Sequence, residues 1–253
     1  MRTLPDRSRR KPPHGGHRHT RPAAPAPEGR DNRRTPPGRA DKNRDGNFEE
    51  FPISCNFRKN SHTLSRTNMR KDFGSKSWLY PMPVLIVAAY DEADVPNVMN
   101  AAWGGMFTDE TIGICLAAEH KTTKNILATR AFTVSMATAD QVTACDYAGI
   151  VSGNEVPDKF ARAGFHATPS AHVNAPLIDE LPMALECELL SYDPESCHLV
   201  GRIVNISADE SILTDGRIDP RKLRPITYDP IRHEYVELGD TVGKAFSCGR
   251  VLK

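Results

Sequence analysis

No stretch of this 253-residue chain approaches the ~20 consecutive apolar residues that a membrane-spanning helix needs, so the sequence offers no transmembrane helix. Its six cysteines, Cys55, Cys115, Cys145, Cys187, Cys197 and Cys248, contain no CxxC pair. Neither a zinc ribbon nor a thioredoxin-type redox motif is therefore signalled. There is no GxGxxG following a strand, no GxxxxGK[ST] and no GxSxG, which removes the dinucleotide fingerprint, the P-loop and the nucleophile elbow. His120, His166, His172, His198 and His233 show no ligand spacing, so no metal site is expected. A strong overall charge is missing too, the formal net charge being +1.

That near-neutral average hides two opposite halves. Residues 1–68 carry 16 basic and 7 acidic side chains and 9 of the 20 prolines, and residues 69–253 carry 17 basic and 25 acidic. The first segment has almost no aliphatic residues before Ile53, so it cannot bury enough apolar surface to offset the entropy of ordering its backbone. It reads as a disordered, basic, Pro/Arg-rich extension. It lacks the apolar h-region of a secretory signal and the apolar helical face of a transit peptide. Its arginine clusters have no interleaved aromatics, so a nucleic-acid arm is disfavoured, and the acidic remainder is no nucleic-acid binder either. Composition changes at Met69, which is expected to be the working start.

Residues 69–253 suffice for one domain with a good core. Strand signals dominate. Pro83–Tyr90 is a continuous apolar run closed by a polar turn at Asp91–Asp94, with Val95–Ala102 as hairpin partner. Thr111–Ala117 and Ala131–Met136 follow. In Met183–Leu189, Leu185, Cys187 and Leu189 face inward and Glu186 and Glu188 outward. Cys197–Ile206 pairs with it through the turn at Asp193–Ser196. Short helices fit Thr122–Thr129, whose leading hydroxyls suit capping, Gln141–Tyr147, and Pro157–Ala163 with its early proline. Such an order implies a mainly β protein, a small antiparallel β-barrel with α insertions. Cysteines in apolar surroundings read as reduced core residues, as in a cytoplasmic protein.

Two clusters carry chemistry. Pro96-Asn-Val-Met-Asn-Ala-Ala-Trp-Gly-Gly105 joins small residues, which let a ligand approach the backbone, to the broad plane of Trp103. The same run also fits a tight barrel corner with a core tryptophan. Glu119-His-Lys-Thr-Thr-Lys-Asn125 places His120, Lys121, Thr122, Thr123 and Lys124 at a strand-to-helix junction. Cations, hydroxyls and free N–H groups at a helix N-terminus suit a phosphate. An ordinary capped helix with a solvated basic turn is the alternative. Taken together, the two clusters suggest a phosphorylated planar cofactor.

The stretch MRKDFGSKSWLYPMPVLIVAAYDEADVPNVMNAAWGG resembles the opening of the flavin reductase-like proteins of the FMN-binding split-barrel superfamily, near their flavoredoxin branch. The likeness continues through HKTTKNI, Asp146–Gly153, Asp158-Lys-Phe160, Ala175–Ile178, Gly216–Tyr228 and Leu238–Phe246, and so covers residues 69–250 and none of the extension. It implies a six-stranded antiparallel Greek-key split barrel of the FMN-binding type, forming a homodimer. The implied cofactor is FMN, and the choice of FMN over FAD rests on the resemblance. The implied activity is that of an oxidoreductase, with NAD(P)H or a protein as electron donor and a flavin or protein as acceptor. A non-catalytic flavin-binding electron carrier, or a ligand-binding barrel, is the alternative. The family's flavin-contacting turn falls on Asn97, Met99, Asn100, Ala101, Ala102 and Trp103, and its phosphate loop on His120–Lys124. Tyr147, Ser152 and Lys159 border the pocket, and Arg224–Tyr228 close it, in the family from one or the other subunit. Asp158–Phe160 equally fits a helix start that packs Phe160 into the core. Flavin chemistry needs no protein nucleophile, and no catalytic side chain is expected.

Overall fold

A computed structural model describes residues 70–253. The expected extension over residues 1–68 and the expected start at Met69 lie outside the described residues.

The strands arise where the side-chain pattern can bury one or both faces. The short β1 (Met82–Pro83) leads into β2 (Leu85–Tyr90), in which all six residues are buried. Its continuous apolar character has a direct cause. Leu85, Val87 and Ala89 point into one core, and Ile86 and Ala88 into a second on the opposite face. The hairpin to β3 (Pro96–Ala101) turns at Asp91, whose carboxylate accepts from the N–H groups of Ala93 (2.9 Å) and Val95 (3.0 Å). β4 (Gly104–Thr108) and β5 (Thr111–Cys115) form the next hairpin. Helix α1 (Lys121–Thr129) then plugs the barrel with Ile126 and ends at Arg130, in left-handed conformation with φ 64°. β6 (Ala131–Met136) returns beside β2, followed by α2 (Val142–Ile150) and the single-turn α3 (Lys159–Arg162).

The small hairpin β7 (Ala167–Pro169) and β8 (Pro176–Ile178) precedes the long pair β9 (Met183–Asp193) and β10 (His198–Ala208). Their turn is held by Asp193, which accepts from the Glu195 N–H and the Ser196 hydroxyl. A β-carbon on Gly201 of β10 would lie 2.4 Å from the ring of Phe132, so this position admits no side chain without displacing the core. The two-residue strands β11 (Leu213–Thr214) and β12 (Arg217–Ile218), helix α4 (Pro220–Leu223) and a final hairpin of β13 (Ile226–Asp229) and β14 (Glu234–Glu237) complete the order.

The main sheet runs β3-β2-β6-β9-β10-β5-β4, all pairings antiparallel, and curls around the core that contains Phe132, Ile114, Leu185 and Leu199. The second core, with Val98, Cys145, Phe160 and Phe165, lies on the other face of β2 beneath α2 and α3. This is the expected mainly β split-barrel type with α insertions. The sheet has seven strands rather than six. The addition is β4, whose two leading glycines and exposed Met106 and Phe107 leave no burial pattern to read. The β13–β14 hairpin, paired to β1, was likewise absent from the sequence reading.

Three local expectations are corrected. Glu186 does not face solvent. It is 1 % exposed, accepting from Ser170 Oγ and from Asn205 Nδ2, because the segment joining β7 and β8 covers that face of β9. Its partner in the pattern, Glu188, does face outward and pairs with Arg202. The hydroxyls at the start of α1 do not cap it either. The N-cap is His120, which gives no side-chain cap. Pro157 falls just before α3 rather than in its first turn, and Phe160 packs into the second core.

Candidate functional site

A cavity of about 230 Å³ opens where four elements converge. The start of β3 contributes Asn97, Met99 and Asn100, and the N-terminal turn of α1 contributes His120, Lys121 and Thr122. The end of α2 and the turn after it contribute Ala148 to Gly153, and α3 contributes Lys159.

Packing fixes these groups before any ligand arrives. Asn97 is buried and its Oδ1 accepts from the Thr122 hydroxyl at 2.8 Å, which ties α1 to β3. Its amide nitrogen fills the space beside Gly153, where a β-carbon would lie 2.3 Å away. The turn can therefore approach β3 only with glycine at that position. Asn100 donates to the Cys145 carbonyl at 3.2 Å and anchors α2 on the same strand.

The electrostatics of the cavity are one-sided. The first turn of α1 contains no acidic residue, and the N–H groups of Lys121, Thr122 and Thr123 meet no acceptor among the described residues. Such a terminus carries partial positive charge. Lys121 Nζ lies 3.3 Å from Asp91 Oδ2, a half-exposed pair. The Val95 N–H, then that of Ala93 and the Lys121 ammonium, hold the Asp91 carboxyl below the usual carboxylate range against an opposing desolvation. Lys159 is 3 % exposed and is shifted by desolvation, with no hydrogen-bond or ion-pair partner among the described residues to offset it, so burial pushes its ammonium down to about 8. Thr123 Oγ1 is fully buried without a hydrogen-bond partner among the described residues. A buried cation and three open N–H groups are groups that an anion would satisfy. Met99, Ala148, Ile150 and Val151 supply apolar wall beside them.

Of the residues singled out from sequence, Asn97, Met99, Asn100, His120, Lys121, Thr122, Ser152 and Lys159 line this cavity together. Thr123 lies directly behind the wall, completely buried. Lys124 turns outward to Asn154 Oδ1 at 3.4 Å, and Asn154 in turn donates to the Glu119 carbonyl. Tyr147 sits half-buried on α2 outside the lining, and Ala101 is in the barrel core. Ala102 and Trp103 line a second cavity that shares Asn100, Gly149 and Ile150 with the first. Trp103 is 55 % exposed and is no core residue. Arg224 turns away to Asp140 and to Glu237 (3.0 Å), whereas Tyr228 reaches the second cavity within the same chain. Sequence reasoning did not find Asp146, His233 or Tyr235 as cavity residues. The aromatic spacing around Glu234–Glu237 was the available signal, since Tyr228 and Tyr235 pair directly across β13 and β14.

Residues 77–229 match the model of the flavin reductase like domain. Flavoredoxin of Desulfovibrio vulgaris (Miyazaki F) is 37 % identical with a TM-score of 0.69, over 72 % of this chain and 100 % of that one. Flavoredoxin from Methanosarcina acetivorans is 25 % identical with a TM-score of 0.66, over 73 % and 99 %. An FMN-binding domain of a flavin reductases-like enzyme from Shewanella baltica OS155 shares the fold, with 20 % identity, a TM-score of 0.57 and coverage of 64 % and 88 %.

Proposed function

This chain belongs to the flavin reductase-like domain family, and from that premise we propose that its first cavity binds FMN and that the protein is an FMN-dependent oxidoreductase. It passes hydride or electrons from NAD(P)H or a protein donor to a flavin or protein acceptor. The observation that carries the reading is Lys159, buried in the wall of the same cavity as the uncapped start of α1 and shifted by desolvation with no hydrogen-bond or ion-pair partner among the described residues. A phosphate monoester at the N-terminus of α1 would meet both needs.

The bound flavin supplies the redox chemistry, and the protein supplies binding, orientation and electrostatics. Lys121 and Lys159 neutralise phosphate charge, and the open N–H groups of Lys121–Thr123 receive its oxygens. Asn97 holds α1 and β3 at a fixed separation through Thr122, so the anion site and the strand that borders the ring keep one geometry. Met99 and Val151 give an apolar surface to the ring. The residues assigned to the cofactor are Asn97, Met99, Asn100, His120, Lys121, Thr122, Thr123, Ser152 and Lys159. No side chain is assigned as an acid or nucleophile.

The domain is taken as residues 69–253. A homodimer in the cytoplasm accords with the exposed Met106 and Phe107 on the edge strand β4 and with the five unpaired cysteines among the described residues. The decisive experiment is to purify the whole chain, record its visible spectrum and identify the flavin released on denaturation. FMN near one per chain is expected. Flavin-free folded protein that takes up no added FMN would overturn the reading. Oxidation of NADH or NADPH with free flavin as acceptor then separates a reductase from an electron carrier, and light scattering reads the oligomeric state.

A further inference from the structure

A third cavity, of about 390 Å³, adjoins the first through Asn97, Lys121 and Gly153, which line both. Its lining holds two charged groups, Asp91 and Lys121. Lys121 Nζ is 3.3 Å from Asp91 Oδ2, so the charge of the lysine is matched before any anion arrives. The carboxylate is fixed where it stands. Its Oδ1 accepts from the Ala93 and Val95 N–H groups. The turn that carries it is closed by two backbone bonds, from the Asp91 N–H to the Val95 carbonyl and from the Asp94 N–H to the Asp91 carbonyl, each 3.0 Å. The Val95 N–H above all holds the carboxyl below the usual carboxylate range, so it is ionised at neutral pH.

We propose that Asp91 sets the ligand class of the anion site: it admits a phosphate monoester and rejects a diphosphate, so that a flavin mononucleotide is taken and a flavin dinucleotide is not. The proposal rests on the reading of the first cavity as the cofactor site. An ammonium has three donors, so Lys121 can bond Asp91 on one side and a single phosphate at the start of α1 on the other. A second phosphoryl group, with the nucleoside it carries, would extend past Lys121 into the third cavity. Space does not bar it there. Charge does. Lys121 is the one cation of that lining, and Asp91 and the first phosphate would already share it. The second phosphate would then lie against an ionised carboxylate with no cation of its own. Like charges at contact distance near a protein surface repel strongly enough to cost about tenfold or more in affinity.

The test compares FMN with FAD on the full-length protein at fixed ionic strength, by fluorescence titration after any resident flavin has been removed and measured. FMN is expected to bind about tenfold or more tighter than FAD. Asp91→Asn keeps an oxygen for the turn and for Lys121 and removes the charge, so it is expected to bring the two affinities within about threefold of each other. Asp91→Glu keeps the charge and is expected to keep the preference for FMN. FAD bound by the parent as tightly as FMN would overturn the proposal, and so would a ratio that Asp91→Asn leaves unchanged. Phosphate and pyrophosphate, titrated by calorimetry into the same samples, separate this proposal from the cofactor reading. The affinity for pyrophosphate relative to phosphate is expected to rise about tenfold from parent to Asp91→Asn. Protein that takes up no flavin yet shows that rise would keep the role of Asp91 and overturn the cofactor reading. Protein that takes up no flavin and shows no such rise would overturn both.

Discussion

Two adjoining cavities on one strand differ in nearly every physical respect. The first gathers Lys121, Lys159, His120 and the uncapped end of α1, and the second gathers Asp146 and three aromatic rings. Only Asn100, Gly149 and Ile150 line both. One wall is built to satisfy an anion and pays for it with a buried, unpartnered ammonium. The other ties Tyr235 to Asp146 and Tyr228 to His233 and leaves Asp146 Oδ2 without a hydrogen bond among the described residues. The contrast teaches that β3 is a divider, with Asn97 and Met99 lining the cationic side and the Ala102–Trp103 segment that follows it lining the acidic aromatic side.

The largest expected effect tests whether the two cavities depend on one scaffold. Phe132 is fully buried where β6 faces Gly201, so Phe132→Ala should cost about 3–5 kcal/mol and weaken FMN binding, measured by urea unfolding and by titration. Stability or FMN affinity left unchanged would break the idea of a common support.

Lys159→Met should separate the sides. FMN affinity is expected to fall by about one to two decades, the value of a lost charge-assisted hydrogen bond, while the second cavity, which Lys159 does not line, is untouched. The same variant should be more stable than the parent without ligand, by up to about 3 kcal/mol at neutral pH, because a buried lysine depressed to about 8 stores that cost. The sign follows from proton counts. Between pH 8 and the ordinary lysine value of 10.5 the unfolded chain binds the more protons, so the parent gains stability as pH rises and the difference closes. Urea melts across that range check it, and a parent whose stability is flat there would remove Lys159 from the buried class.

Binding should show the reverse dependence. FMN affinity is expected to weaken as pH rises above about 8, where the free Lys159 loses its proton, and Lys159→Met should abolish that dependence. Fluorescence titrations from pH 7 to 9.5 measure it. The smallest change is Thr123→Val. Because the Thr123 hydroxyl is buried behind the wall without a partner among the described residues, an isosteric methyl group in its place should leave FMN affinity within about twofold and the fold as stable or slightly more so, read by titration and urea melts.

The barrel was legible from residues because its burial is periodic. β2 reads as a continuous run, and Leu185, Cys187 and Leu189 alternate inward on β9. Glu186 was misread because the pattern of a strand does not show that a neighbouring hairpin closes over its outer face. β4 was missed for the complementary reason: an exposed edge strand carries no burial signal. The helix that begins at Lys121 was placed correctly to within a residue, but its threonines serve the cavity and β3 rather than the cap.

The sequence by itself determined six of the seven strands of the main sheet, the cluster from His120 to Lys124 and the family likeness, since each depends on residues close together in the chain. Only the tertiary structure decided that Lys159 enters the first cavity without a partner, and that Asp146 meets Tyr235 from 89 residues away. The physical reason is that burial, charge pairing and hydrogen-bond saturation are properties of an assembled neighbourhood. A lysine or an aspartate is the same letter whether its charge is solvated, neutralised or held ready for a ligand.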